Sequence, residues 1–196
     1  FNAGAAPVAR DFQTMCYYQS PNRLRSDSLP CEQPHSPGPP NTRFTALGCP
    51  NVLCCVGALN RILPNFIIHL WMATRDNGLA ATLYGPCTVS AMAGEGVPVK
   101  VTTTTDYPFG ETIRMKVEPE KDVAFPLYLR IPGWCKSPQI TVNGSRAAVA
   151  PDARGFARIA RTWAKEDSVE LQLPMEPMVL RGYETEFPSA NRKYFS

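Results

Sequence analysis

Histidine is scarce in this chain, and its scarcity is the first constraint on chemistry: two occur in 196 residues, His35 and His69. His35 lies in a proline-rich stretch, and His69 sits between Phe66 and Trp71 on an apolar segment, where a satisfied packing residue is the expectation. Neither makes a convincing general base. Charge of one sign is also missing. Twenty basic and 17 acidic residues leave +3, and no lysine or arginine run forms a phosphate-binding stripe. Long apolar runs are absent too. The longest, around Asn65 to Ala73, is broken by His69 and falls well short of the roughly 20 residues that cross a bilayer. Nucleic acid and membrane are therefore set aside as partners, and a soluble protein is expected.

The chain opens FNAGAAPVARDF, with neither an initiator methionine nor the charged and apolar regions of a signal peptide. A piece of a longer protein is expected, with a cytoplasmic setting favoured. Seven cysteines (Cys16, Cys31, Cys49, Cys54, Cys55, Cys87 and Cys135) are an odd number without framework spacing, which argues against a disulfide-stapled secreted module. What is present is apolar: 44% hydrophobic residues suffice for a real core.

Three regions differ in pattern. Residues 1–50 hold SPNRLRSDSLP and CEQPHSPGPPNT, whose Pro34, Pro37, Pro39 and Pro40 forbid regular helix and predict a long loop. RDFQTMCYYQSPN before it suits a short strand or packed segment. From Leu59 the apolar positions Ile62, Leu63, Phe66, Ile67, Leu70 and Trp71 form a helical stripe facing a core. It predicts a helix over Leu59 to Thr74, kinked at Pro64 and ended at Asp76-Asn77-Gly78 with Gly78 as a left-handed cap. After Gly78 the period becomes two. Seven short β-rich segments separated by Gly, Pro, Asn and Asp turns predict an antiparallel β-sandwich or jelly roll, with a hairpin at Asn143-Gly144. That hairpin explains Asn143-Gly144-Ser145 better than glycosylation does. The division is 1–78 helical, 79–180 β-sandwich and 181–196 tail.

The densest chemistry is CPNVLCCVGALNR at residues 49–61, where Cys54 and Cys55 stand side by side in front of the stripe. A disulfide between neighbours would strain the backbone. Buried small hydrophobes, metal ligands, or a nucleophile with a ligand beside it remain. Cys49 could add a thiolate, although the spacing is not that of a zinc ribbon.

The string CCVGALNRILPNFIIHLWMATRDNGLAATLYGP, followed by TDYPFGETI, FPLYLRIPGWC and ITVNG, resembles the β-L-arabinofuranosidase family of glycoside hydrolases, family 127 and its relatives. MCYYQSPNRL resembles the segment preceding the family's cysteine pair, so the likeness runs from about Arg10 to Leu180. It implies an (α/α)6 barrel carrying the active site, followed by β-sandwich domains, of which this chain would hold the end of the barrel and the first sandwich. By that resemblance Cys54 is the nucleophile that attacks the anomeric carbon, Cys55 is a zinc ligand beside Cys54, and Tyr18, less so Tyr17, lies near the sugar. Zinc and a helix N-terminus both lower a thiol's pKa from about 8.5, which such a nucleophile needs.

The resemblance also implies that the acid/base Glu and the remaining zinc ligands, a Glu and a Cys, precede this chain. The expected function is that of a fragment of a retaining glycoside hydrolase acting on terminal β-L-arabinofuranosyl or similar sugars, catalytically incomplete alone. Glu32 and Asp76 are the local carboxylates to consider as a substitute acid. The alternative, from another class, is a non-catalytic β-sandwich module for assembly or carbohydrate binding. Trp71, Trp134 and Trp163 could stack on a sugar, but core packing suffices for two of them.

Overall fold

A computed structural model describes residues 61–176 throughout and, before them, the backbone of 14–17, 26–28, 42–46 and 54–60. In chain order the elements are β1 (Thr14–Tyr17), β2 (Ser26–Ser28), β3 (Thr42–Ala46), α1 (Cys54–Ile68), β4 (Trp71–Ala73) and β5 (Leu79–Ala81). Then follow β6 (Cys87–Ala93), β7 (Val97–Thr105), β8 (Thr112–Pro119), β9 (Val123–Arg130), β10 (Gln139–Val142), β11 (Ser145–Arg146), β12 (Phe156–Trp163) and β13 (Asp167–Gln172). The first three strands form a small sheet in which β3 pairs antiparallel with β1 and parallel with β2.

The strands after α1 make two facing sheets, β11-β10-β13-β8-β7-β6 and β12-β9-β5-β4. Pairing is antiparallel except between β5 and β9, where Leu79 opposes Leu127 in parallel register. The period-two pattern is what builds the sandwich. Val97, Val99 and Val101 of β7 are buried while Pro98 and Lys100 between them are exposed, and Ile113, Met115 and Val117 of β8 alternate likewise. Opposite them lie Phe125, Leu127 and Leu129 of β9 with Ile159 and Trp163 of β12. Each such side chain fully removed from water contributes about 1.5–3 kcal/mol. Trp163 is the largest of them, and its indole N–H donates to the Phe125 carbonyl at 3.0 Å, so the ring's one polar atom is satisfied.

The turn chemistry follows the sequence at one site and departs from it at another. Asn143 and Gly144 both have positive φ, 51° and 76°, and close the β10–β11 hairpin as a type I′ turn. The Asn143 side chain donates to Asp167 Oδ1 at 2.6 Å and accepts from the Ser168 amide at 2.8 Å, tying the hairpin to β13. At Asp76-Asn77-Gly78, however, the left-handed residue is Asn77 (φ 58°), not Gly78. Gly78 is required for closeness: a Cβ there would come 2.2 Å from the Pro126 carbonyl oxygen.

The helix also differs from expectation. It begins at Cys54 and stops at Ile68, six residues before Thr74, and Trp71–Ala73 is strand β4 instead. Competition for backbone groups explains the early end. The Leu70 carbonyl accepts the Thr82 amide at 2.9 Å, and the Thr82 hydroxyl donates to the His69 carbonyl, so the sheet takes acceptors a longer helix would use. The stripe expected to face a core is only partly covered: Leu70 is buried and Ile62, Phe66 and Trp71 are half-buried, but Leu63 and Ile67 are 36% and 62% exposed. Contact with the sandwich runs through Phe66 and Leu70, which close on Gly85 at one end of it. In residues 1–50, Thr14–Tyr17 is the expected short strand, whereas Ser26–Ser28, inside the predicted loop, is a short strand in register with Thr42–Phe44. The remainder of the proline-rich loop lies outside the described residues.

Two substitutions test this core. Trp163→Ala is expected to cost about 3–5 kcal/mol of unfolding free energy. Among the described residues the Thr103 hydroxyl is buried without a hydrogen-bond partner. An orphaned hydroxyl of this kind costs about 1–3 kcal/mol, so the isosteric Thr103→Val should raise the urea midpoint rather than lower it. A lowered midpoint would show that the hydroxyl has a stabilising partner.

Candidate active site

Cys54 and Cys55 are the first two residues of α1. Adjacent helical positions lie about 100° apart around the axis, so the pair spreads over a quarter of the opening turn. The first four amides of a helix have no intrahelical acceptor, and the aligned peptide dipoles leave roughly half a positive charge there. No acidic residue occupies the first turn to neutralise that charge. Helix N-termini in general favour thiolate over thiol.

Two thiolates also suit zinc, which accepts sulfur donors in tetrahedral sites. Among the described residues no cluster of three or more His, Cys, Asp or Glu side chains forms a metal cage. Tyr18, Cys49 and Glu32 lie outside the described residues.

Asp76, one of the two local carboxylates considered as an acid, is poorly suited to that role. Its Oδ1 accepts from the Thr74 hydroxyl at 2.5 Å and its Oδ2 from the Tyr128 hydroxyl at 2.7 Å, with the Arg158 guanidinium 3.8 Å from Oδ2. Those hydrogen bonds, Thr74's foremost and then Tyr128's, hold the carboxyl below the ordinary carboxylate range. An anion so held donates no proton near neutral pH. The group acts as a tie instead, fixing the β4–β5 turn to the outer face of the four-stranded sheet. Sequence reasoning could not assemble it, because Tyr128 and Arg158 become neighbours only through the β9–β12 register.

The other candidate positions fall into structural roles. His69 is exposed, and its Nδ1 donates to the Asn65 carbonyl at 2.6 Å, capping the helix end. That is a satisfied residue, on the surface rather than in the packing expected. Trp163 is core, Trp71 packs against the core half-buried, and Trp134 keeps 39% of its surface open. Cys135 is buried, which pushes its thiol up, and Cys87 starts β6 half-exposed. Both are free.

By fold alone the described chain is a two-sheet β-sandwich preceded by a helix that opens on paired cysteines. Residues 78–175, half of the chain, match the β-L-arabinofuranosidase GH127 middle domain, and the chain belongs to that family. Among solved structures it is similar to Ara127N, a GH127 β-L-arabinofuranosidase from Geobacillus stearothermophilus T6, with 31% identity and a TM-score of 0.62 over 66% of this chain. A structure described as a glycoside hydrolase is 26% identical with a TM-score of 0.69 over 91% of this chain. A GH127 β-arabinofuranosidase, 24% identical with a TM-score of 0.57 over 63% of this chain, shares the fold. The chain spans 20%, 28% and 22% of those three proteins respectively. Among curated proteins none matches.

The Asp76 tie has a pH signature. A carboxylate held below its unfolded value of about 3.9 stabilises the fold above that pH, and its contribution fades as pH falls through the lower folded value. Tyr128→Phe removes one hydrogen bond to the charged form, so the Asp76 carboxyl 13C titration should shift upward towards the ordinary value. An unmoved titration would show that Tyr128 does not hold the anion.

Proposed function

We propose that this chain is part of a retaining glycoside hydrolase that acts on terminal β-L-arabinofuranosyl or similar sugars, with Cys54 as nucleophile and Cys55 as a zinc ligand. The observation that supports it best is the direct succession of a helix opening on Cys54-Cys55 and a GH127 middle domain in one chain. Zinc bound there would hold the thiols in their ionised form at neutral pH. Cys54 and Cys55 would supply two of its ligands.

The chemistry asked of Cys54 is nucleophilic displacement. Its thiolate attacks the anomeric carbon, a C–S bond forms as the glycosidic C–O bond breaks, and the departing oxygen takes a proton from a general acid. Water, deprotonated by the same acid/base group, then attacks the anomeric carbon from the vacated side. The C–S bond breaks, the thiolate is regenerated, and configuration is retained. Tyr18 is assigned to the substrate side of this site. The general acid is not supplied by Asp76, which is held as the anion. The 196-residue chain is accordingly a fragment that is catalytically incomplete alone.

Two comparisons test this. In a polypeptide that carries the complete barrel, Cys54→Ser should abolish release of an aryl β-L-arabinofuranoside while lowering zinc content less than Cys55→Ser does, because the ligand set would keep Cys55. Equal zinc loss from the two substitutions would end the division of roles. The 196-residue chain itself, with zinc and reductant, should release nothing above background. Turnover by it that Cys54→Ser abolishes would show a local acid, and an inactive complete protein would favour the non-catalytic module.

A further inference from the structure

Residues 82–85 take hold of the end of the cysteine-bearing helix through an amide, a hydroxyl and an apolar contact. The Thr82 amide donates to the Leu70 carbonyl at 2.9 Å, with the Leu83 amide 3.4 Å from the same oxygen, and the Thr82 hydroxyl donates to the His69 carbonyl. Carbonyls at the end of a helix have no intrahelical amide to accept from, so these bonds fall on groups that need partners. Gly85 adds the apolar seat. A Cβ there would stand 3.6 Å from Leu70 Cδ2 and 3.7 Å from Phe66 Cε1, which is van der Waals contact already at the first side-chain carbon. Leu70 is buried in this contact.

The seat itself is fixed to the sandwich. The buried Tyr84 donates its hydroxyl to the Arg130 carbonyl at 2.6 Å and meets the Tyr107 ring edge-on, with centroids 6.0 Å apart. Arg130 Nη1 donates to the Thr82 carbonyl at 3.4 Å, and Ala81, just before Thr82, lies opposite Leu129 in the β5–β9 pairing. The grip on the helix therefore moves only with the core. From that grip α1 works as a lever. Its 15 residues put Cys54 about 20 Å away along the axis, so a tilt of about 3° at the held end carries the other end by about 1 Å. Misplacing a reacting group by that much can cost about a hundredfold in rate.

We infer, on the reading that Cys54 is the nucleophile, that Thr82 is a positioning residue for it: by holding the end of α1 against the sandwich, Thr82 sets through the helix where Cys54 stands. The hydroxyl is the specific part of the hold. Any residue but proline brings an amide to the Leu70 carbonyl, whereas the bond to the His69 carbonyl needs a donor on the side chain.

The experiment compares Thr82→Val, which keeps shape and amide but loses the hydroxyl, with Thr82→Ser, which keeps the hydroxyl. In a polypeptide that carries the complete barrel, Thr82→Val should lower kcat on an aryl β-L-arabinofuranoside about tenfold with KM within about twofold, and Thr82→Ser should hold both within about twofold of the wild type. A hydroxyl that only stabilised the fold would lower the thermal midpoint without that split. An unchanged kcat in Thr82→Val, or an equal loss in Thr82→Ser, would overturn the positioning role. A second readout needs no catalysis. In the 196-residue chain, amide hydrogen exchange over residues 61–70 should quicken several-fold in Thr82→Val and not in Thr82→Ser, and unchanged exchange would also overturn it. Cys54→Ser separates the two readings. If it still turns over, or if the wild type does not, the nucleophile assignment falls and the positioning role with it; if it is inactive while Thr82→Val keeps full kcat, the positioning role alone falls.

Discussion

The interdigitation of two apolar sheet faces around Trp163 is the interaction on which the rest of this structure depends. Val101, Ile113, Val117, Leu127, Leu129, Ala157, Trp163, Leu171 and Leu173 are all at 0% exposure. By contrast the ion pairs Lys100 with Glu118, Arg114 with Glu170 and Lys116 with Glu166 lie on the outer face of the six-stranded sheet. Exposed pairs of that kind contribute about 0–1 kcal/mol each. They decorate a sheet whose position the core has already decided.

The cysteine-bearing helix is joined to this core by little. Phe66 and Leu70 meet Gly85, and the Leu70 and His69 carbonyls are taken by Thr82, so the helix C-terminal end is registered against the β5–β6 loop. The opening turn with Cys54 and Cys55 lies 15 residues away at the opposite end, about 20 Å along the axis. The sandwich therefore anchors the helix at its C-terminal end.

Much of this was legible in the residues. The change to a two-residue apolar period after Gly78 announces the strands that follow, from β5 at Leu79 onward, and Asn143-Gly144 announces its hairpin because both positions demand positive φ. The end of the helix was not legible. Leu70 and Trp71 satisfy the helical stripe as well as they satisfy a strand, and the outcome turned on Thr82, a residue twelve or more positions away that claims the carbonyls of His69 and Leu70. Glycine roles were only half legible for the same reason. Gly78 looked like a cap, but its necessity comes from Pro126, which a parallel pairing of β5 with β9 brings against it.

For the candidate site the division is similar. Adjacent thiols ahead of an apolar stripe are a local pattern, so the sequence by itself determined their neighbourhood, whereas the helix start at Cys54 rather than Leu59, which puts them in its first turn, came from the structure. Which carboxyl groups stay charged was a tertiary decision. Asp76 reads as an ordinary loop acid until Tyr128 and Arg158, 52 and 82 residues further on, are carried to it by the β9–β12 register. Period and turn chemistry act over a few residues and are written in the chain. Charge state, cover and close approach depend on what the fold sets alongside each residue, so they appear only once the two sheets are closed.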